Sequence, residues 1–183
     1  MTKLSIDGWT STAIYSPPSE VTGKQNYRYV LTREWQDGEG TVAFVCLNPS
    51  TATETVTDPT VRRMMGFARA WGYRKLTVLN LFALRSTDPG ALYKSLDPVG
   101  VDNNANIERE TNVSERVIVA WGNHGEYRCR GLVVLGHLLK AAIGQGIVYH
   151  LGMTGRTPPQ PKHPLYLSMK TEPIQLEVER GTR

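Results

Sequence analysis

Four short apolar runs, separated by segments of helical character, limit the folds that this chain of 183 residues can adopt. Each run is rich in leucine or β-branched residues and is bounded by turn-forming residues, which is typical of buried strands. The runs cover residues 41–47, 75–82, 116–121 and 146–151. Helical patterns cover residues 59–71, 102–112 and 131–143. This alternation predicts an α/β fold with a central, mostly parallel four-stranded sheet flanked by helices.

The two ends of the chain carry weaker signals. Residues 26–35 alternate aromatic or apolar with polar side chains, and turn residues 37–40 follow before the first apolar run. This pattern predicts an N-terminal hairpin that leads into the buried strand. The tail, residues 171–183, fits either a last strand or a disordered end. We expect one domain over residues 1–183, with a core over about 27–168.

Composition and motif content exclude several classes of function. Cys46 and Cys129 lack the spacing of zinc ligands, so we expect neither a metal nor a cofactor. No stretch approaches the roughly 20 apolar residues that span a bilayer, so we expect a cytoplasmic protein without a membrane partner. The chain has no P-loop, GxGxxG, HExxH or GxSxG motif. Its net charge of +4 suits nucleic acid or phosphorylated ligands, but it serves solubility equally well.

Ligands of open α/β sheets bind at the carboxyl ends of the strands, which directs attention to the four loops that follow the predicted strands. In the first loop, Asn48 offers a donor and an acceptor, Pro49 fixes the backbone and Ser50 adds a hydroxyl. These residues fit either a ligand site or an Asx turn that ends the strand. Asp58 is a candidate general base, although its position before Pro59 also fits a helix cap.

The second loop follows an amide that lies inside an apolar run. If Asn80 is buried, it requires a hydrogen-bond partner, which is either a ligand or a neighbouring loop. Phe82 could stack on a planar ring or fill the core. Arg85 has a planar fork that suits phosphate, although a loop arginine is commonly solvated.

The third and fourth loops add imidazoles and basic groups. Trp121, Gly122 and His124 combine a ring, a close backbone approach and an imidazole that exchanges a proton near neutrality. The fourth loop, residues 152–165, is stiffened by prolines and can reach phosphates through three basic residues, unless it is an ordinary surface loop. These basic residues are Arg156, Lys162 and His163.

Five segments of the chain are similar to one known family. They read CLNPSTA, DPTVRR, LNLFALRSTDP, AWGNHG and KHPLYL, and they lie between Tyr27 and Leu167. The segments resemble the bacterial and phage family known as domain of unknown function 1643. This resemblance covers most of the chain and implies no activity.

More distantly, the order of the motifs resembles that of the uracil-DNA glycosylase superfamily. The similar elements are LNPS at 47–50 for its water-activating motif, Asn80 for its base-reading asparagine, WGNH at 121–124 for its W-G motif and HPL at 163–165 for its His-Pro-Ser loop. The chain departs from that pattern with Cys46 in place of the leading glycine and Leu165 in place of serine. Leu165 and Tyr166 are the candidates for a wedge residue. This resemblance implies a uracil-DNA-glycosylase-like fold.

The same resemblance implies a mechanism in which a nucleotide is extruded into a pocket. Phe82 would stack on its base, and Asn80 would read the base through its amide. Asn48 would position the attacking water, because an amide cannot itself remove a proton. Such an enzyme would be slow, or Asp58 would act as its base, and His163 would stabilise the departing anionic base.

The sequence therefore predicts a nucleobase-processing enzyme that acts on a base in DNA or on a nucleotide, by N-glycosidic cleavage or base modification. Its partner would be nucleic acid or a nucleotide. The alternatives are a non-catalytic nucleic-acid or nucleotide-binding module on the same fold, and an enzyme of free nucleotides. The identity of the base and the oligomeric state stay open.

Overall fold

The computed structural model describes residues 4–6, 8–18, 26–141 and 147–176, and within them the backbone forms one mixed sheet with helices on both faces. The strands are β1 (Leu4–Ile6), β2 (Trp9–Tyr15), β3 (Arg28–Trp35), β4 (Glu39–Cys46), β5 (Tyr73–Asn80), β6 (Arg116–Val119), β7 (Val148–His150) and β8 (Ile174–Gln175). The helices are α1 (Pro59–Ala70), α2 (Gly90–Lys94), α3 (Asn103–Asn112) and α4 (Arg130–Ala141). Two 3₁₀ turns, Asn123–Cys129 and Pro164–Tyr166, complete the described elements.

The eight strands lie in the order β1-β2-β3-β5-β4-β6-β7-β8. Strands β5, β4, β6 and β7 run parallel to one another, whereas β1, β2, β3 and β8 add antiparallel pairs at the two edges. The predicted α/β class is confirmed. The sheet is larger than the four strands that the sequence predicted, because the edge strands are short or carry polar residues and give weak apolar signals.

The predicted hairpin between residues 26–35 and the first apolar run is wrong. Strands β3 and β4 are consecutive in the chain, yet β5 lies between them and pairs with both. The hairpin partner of β3 is β2, which precedes it. The alternation of apolar and polar residues in β3 suggested an outer strand with one solvated face. Its polar side chains Arg28, Thr32 and Arg33 are themselves buried, so the strand has no such face.

Both faces of the central sheet are apolar, which explains the layered packing. Successive side chains of a strand point to opposite faces. Accordingly, Val42 and Phe44 of β4 pack with α1, whereas Ala43 and Val45 belong to the cluster that includes residues of α3 and α4. The sheet is therefore covered on both faces, and what remains accessible is the edge where the parallel strands end.

Helix α1 begins as its sequence predicts. An oxygen of Asp58, Oδ1, accepts a 2.8 Å hydrogen bond from the backbone N–H of Val61, and Pro59 occupies the first turn. Helix α4 corresponds to the predicted segment 131–143, of which residues 142 and 143 lie outside the described residues. In the tail, β8 accounts for a last strand, and residues 177–183 lie outside the description. No described helix is long and apolar enough to cross a membrane.

Candidate functional site

A cavity of about 630 Å³ opens at the edge of the sheet where β4, β5 and β6 end. Cys46 and Asn80 are the last residues of β4 and β5, and Trp121 follows β6. All four predicted loops contribute to its wall. The predicted site residues that line it are Asn48, Ser50, Asp58, Asn80, Trp121, Gly122, His124, Lys162 and His163. The topology therefore brings together side chains that are far apart in sequence.

Four predicted site residues do not line the cavity. Phe82 has no exposed surface and packs against Tyr127 in the core, so the prediction that it stacks on a ligand is not supported. The guanidinium of Arg85 lies 5.4 Å from the ring centroid of Tyr15. Pro49 is buried in the loop, and Arg156 is exposed away from the cavity wall. For each of these residues, the simpler interpretation of a core or surface position describes the observed environment.

The first loop holds Asn48 in one orientation. Its Nδ2 group donates to the backbone oxygens of Pro49, at 3.1 Å, and of Ser86, at 2.9 Å. Because an amide nitrogen carries two hydrogens, both are engaged, and the side chain can offer only its oxygen to a ligand. Asn48 is therefore an acceptor at the cavity wall, which is the function that a water-positioning residue needs.

Asp58 combines two positions that the sequence left as alternatives. It caps α1 through Oδ1, and it also lines the cavity while being largely buried. A carboxylate has two oxygens, so the cap leaves the second one available. The charge of Asp58 raises the pKa of three other cavity residues. It acts with burial at Cys46, and against the larger opposing effect of burial at Arg28 and His163.

The fourth loop is fastened to the end of β6. The backbone N–H of Gly122 donates to the oxygen of Pro161 at 2.8 Å, and Nε1 of Trp121 donates to Oε1 of Gln160 at 3.0 Å. The Trp121 ring is held in place by close packing against Gly125. A Cβ atom at position 125 would overlap the Cδ1 atom of the ring. Trp121 therefore positions the loop that carries His163.

His163 is placed as a neutral hydrogen-bond donor. Burial lowers its pKa, and the nearby Asp58 charge opposes this only in part. Its Nδ1 accepts a long, 3.4 Å hydrogen bond from the backbone N–H of Leu165, so in the neutral ring the proton resides on Nε2. A neutral imidazole with Nε2–H can donate to an oxygen or nitrogen that gains negative charge.

The mouth of the cavity is formed by more exposed groups. His124 is exposed, and its Nδ1 lies 2.7 Å from the hydroxyl of Tyr93. Lys162 is also exposed at the wall. Tyr166, in the 3₁₀ turn that follows His163, contributes to the lining and is 88% exposed. An aromatic ring and an ammonium group therefore flank the entrance.

Sequence reasoning missed several cavity residues, among them Arg28, Thr60 and Thr154. Arg28 is only 2% exposed, and burial lowers its pKa to about 10, so it stays protonated at neutral pH. It reaches the site because β3 runs antiparallel to β5, which places the beginning of β3 beside the end of β5. In the sequence it is one polar residue of an alternating strand, and no local signal could have identified it.

Several polar atoms at the cavity lack partners within the described residues. They are Nε of Arg28, Nδ2 of Asn80 and Oδ1 of Asn123, and all are buried. Cys46 also lines the cavity, but burial raises the pKa of its thiol to about 12, so it is not a nucleophile at neutral pH. The described residues contain no group of three His, Cys, Asp or Glu side chains that could hold a metal ion.

Comparison with known proteins gives one match. A family model described as "Protein of unknown function (DUF1643)" matches residues 28–165, which include the cavity-lining loops from Arg28 to Leu165. No curated protein and no solved structure matches the chain.

Proposed function

The chain belongs to the DUF1643 family of proteins of unknown function, and from the cavity that it carries we propose that it processes a nucleobase, in DNA or in a nucleotide. The reaction that we propose is hydrolysis of the N-glycosidic bond. The fold would then be related to that of uracil-DNA glycosylases, which present their motifs in the same order along the chain.

The observation that carries this proposal is that one buried atom in each of two side-chain amides has no partner within the described residues. Nδ2 of Asn80 is a donor and Oδ1 of Asn123 is an acceptor, and both residues line the cavity. A buried polar atom without a partner costs about 1–3 kcal/mol. A nucleobase edge offers an acceptor and a donor side by side, which are the two kinds of group that these atoms lack.

The other cavity residues supply the groups that hydrolysis needs. Water, held by the oxygen of Asn48, attacks the sugar carbon, and the free oxygen of Asp58 takes its proton. The bond between sugar and base breaks, and its electron pair leaves with the base. Nε2–H of His163 then donates to the base and stabilises the negative charge that develops there.

Two features of the cavity mouth suit a nucleic-acid or nucleotide partner. The exposed ring of Tyr166 can stack on a base, or act as a wedge if the substrate is a strand. Lys162 provides a positive charge for a phosphate at the same edge.

A binding module without catalysis is the second candidate. It is favoured by the helix cap at Asp58, which already uses one oxygen of the only carboxylate that lines the cavity within the described residues. Such a module would bind oligonucleotides with an affinity that falls steeply with salt, and it would produce no abasic sites.

The test is cleavage of labelled single- and double-stranded oligonucleotides that carry uracil, hypoxanthine or a modified base. We expect abasic sites with the wild type, and their loss in Asn48→Ala and His163→Ala. His137→Ala is the matched control, because His137 is exposed on α4 and does not line this cavity. Salt-sensitive binding without abasic sites would replace the glycosylase proposal with the binding module.

A further inference from the structure

Arg28 stands out among the buried cations of the described residues. Its side chain lines the cavity, and the hydrogen bond that it makes runs from Nη1 to the backbone oxygen of Ala52. Its Nε is buried without a partner, and no carboxylate of the described residues lies within ion-pair distance of it. Burying a charged group in this way is costly unless something else contacts it.

Arg33 provides the contrast within the same strand. It too is buried, but its guanidinium donates to Ser11 and to the backbone oxygens of Thr32, Thr53 and Val56. It does not line the cavity, and its hydrogen bonds hold neighbouring segments together. Nε of Arg33 is also buried without a partner, so the contrast lies in the other nitrogens. Those of Arg33 make four hydrogen bonds, which a structural role explains, whereas Arg28 makes one to Ala52 within the described residues.

The unused groups define the chemistry of a complementary ligand. A guanidinium only donates, and so does Nδ2 of Asn80, so two residues that line the same cavity carry donors without partners within the described residues. Asp58, which also lines the cavity, accepts when it is ionised. A ligand that fits presents at least one strong acceptor to Arg28. A ring carbonyl is such an acceptor, whereas an exocyclic amino group would direct hydrogens at the guanidinium.

We propose that Arg28 is a ligand-contacting residue of the cavity, and that it selects carbonyl-bearing nucleobases over their amino counterparts. The choice of nucleobases as the ligand class rests on the proposed function. The contact with a carbonyl follows from the donors themselves. Arg28 thus determines specificity, while Asn48, Asp58 and His163 carry out the bond cleavage.

Matched pairs of nucleosides test this selection. Deoxyuridine carries a carbonyl beside a ring N–H where deoxycytidine carries an amino group beside a ring nitrogen acceptor, and deoxyinosine and deoxyadenosine differ in the same way. In NMR titrations, we expect the wild type to bind the carbonyl member of each pair about tenfold to a hundredfold more tightly, as for a lost charge-assisted hydrogen bond. In Arg28→Met the ratio should fall to near one.

Arg62→Met is the matched control, because it makes the same change at an exposed position of α1 outside the cavity. It should keep the wild-type ratio. A ratio that is unchanged in Arg28→Met, or no binding of either member at millimolar concentration, would overturn the proposal.

A second measurement does not depend on a stable variant. The Nε–H resonance of Arg28, assigned through bonds from its backbone resonances in the wild type, should shift on addition of deoxyuridine. An unmoved resonance at saturation would refute the contact. Oligonucleotide cleavage with no carbonyl preference would remove the assignment of Arg28 and keep the proposed function. A carbonyl preference that depends on Arg28, without any cleavage, would keep the assignment of Arg28 and remove the proposed cleavage reaction.

Discussion

Substitutions at Asp58 separate its role as a helix cap from its role as a cavity carboxylate. Asparagine caps helices about as well as aspartate, whereas alanine removes the bond to Val61 N–H and costs about 1 kcal/mol, within a range of about 0.5–2. Both variants lose the charge that Asp58 contributes near Arg28 and His163. The difference in the free energy of unfolding between Asp58→Ala and Asp58→Asn therefore measures the contribution of the helix cap.

We expect Asp58→Ala to unfold with about 1 kcal/mol less free energy than Asp58→Asn. For a domain of this size, that difference corresponds to roughly 2–4 °C in Tm. Urea unfolding followed by circular dichroism measures it, provided that both variants keep the same m-value. Base cleavage should be lost in both variants, because neither the amide of asparagine nor the methyl group of alanine can accept the proton from water.

The two outcomes that refute this reasoning are distinct. Equal unfolding midpoints for Asp58→Ala and Asp58→Asn would mean that the hydrogen bond to Val61 contributes nothing to α1. Full cleavage activity in Asp58→Asn would mean that another group takes the proton. In the second case, the stability difference would still stand.

Three further predictions concern the loop that carries His163. Trp121→Phe removes the bond to Gln160, so we expect a loss of about 0.5–1.5 kcal/mol in urea unfolding and faster hydrogen exchange at the Gly122 amide. Gly125→Ala places a Cβ in overlap with the Trp121 ring and should cost about 1–3 kcal/mol. Because burial lowers the pKa of His163, its contribution to stability is present above about pH 6.5, its unfolded value, and is lost as pH falls through the folded pKa. His163→Gln should therefore weaken the acid-side decline in unfolding free energy.

The controls for these predictions lie in the same measurements. Unchanged exchange at Gly122 in Trp121→Phe would show that the loop is held by other contacts. A Gly125→Ala variant as stable as the wild type would mean that the Trp121 ring can move. Identical pH profiles for wild type and His163→Gln would remove His163 as the source of the acid sensitivity.

Much of the site could be predicted because it depends on local sequence signals. Apolar runs followed by turn residues mark where parallel strands end, and that rule placed Asn48, Asn80, Trp121 and His163 at one edge of the sheet. The helix cap at Asp58 could also be predicted, since Asp followed by Pro is a local pattern that is typical of a helix start. These features require no knowledge of which strand lies beside which.

The rest depends on pairing that the sequence does not encode locally. The insertion of β5 between β3 and β4 is a long-range arrangement, and it alone brings Arg28 to the cavity. Phe82 lies in the core for a related reason: it follows Asn80 by two positions, but the chain turns after β5 and takes the ring away from the cavity. In both cases the direction of a side chain was decided by neighbours distant in sequence.

The central claim is that the cavity at the ends of β4, β5 and β6 binds a nucleobase, and the side-chain amide signals of its buried asparagines test that claim most directly. In ¹H–¹⁵N spectra of the labelled protein, addition of deoxyuridine should shift the NH₂ resonances of Asn80 and Asn123 in a saturable manner, while the exposed amide of Asn112 stays in place. Saturable shifts at both asparagines would support the account. Resonances of Asn80 and Asn123 that do not move, with any nucleoside of the matched pairs, would contradict it.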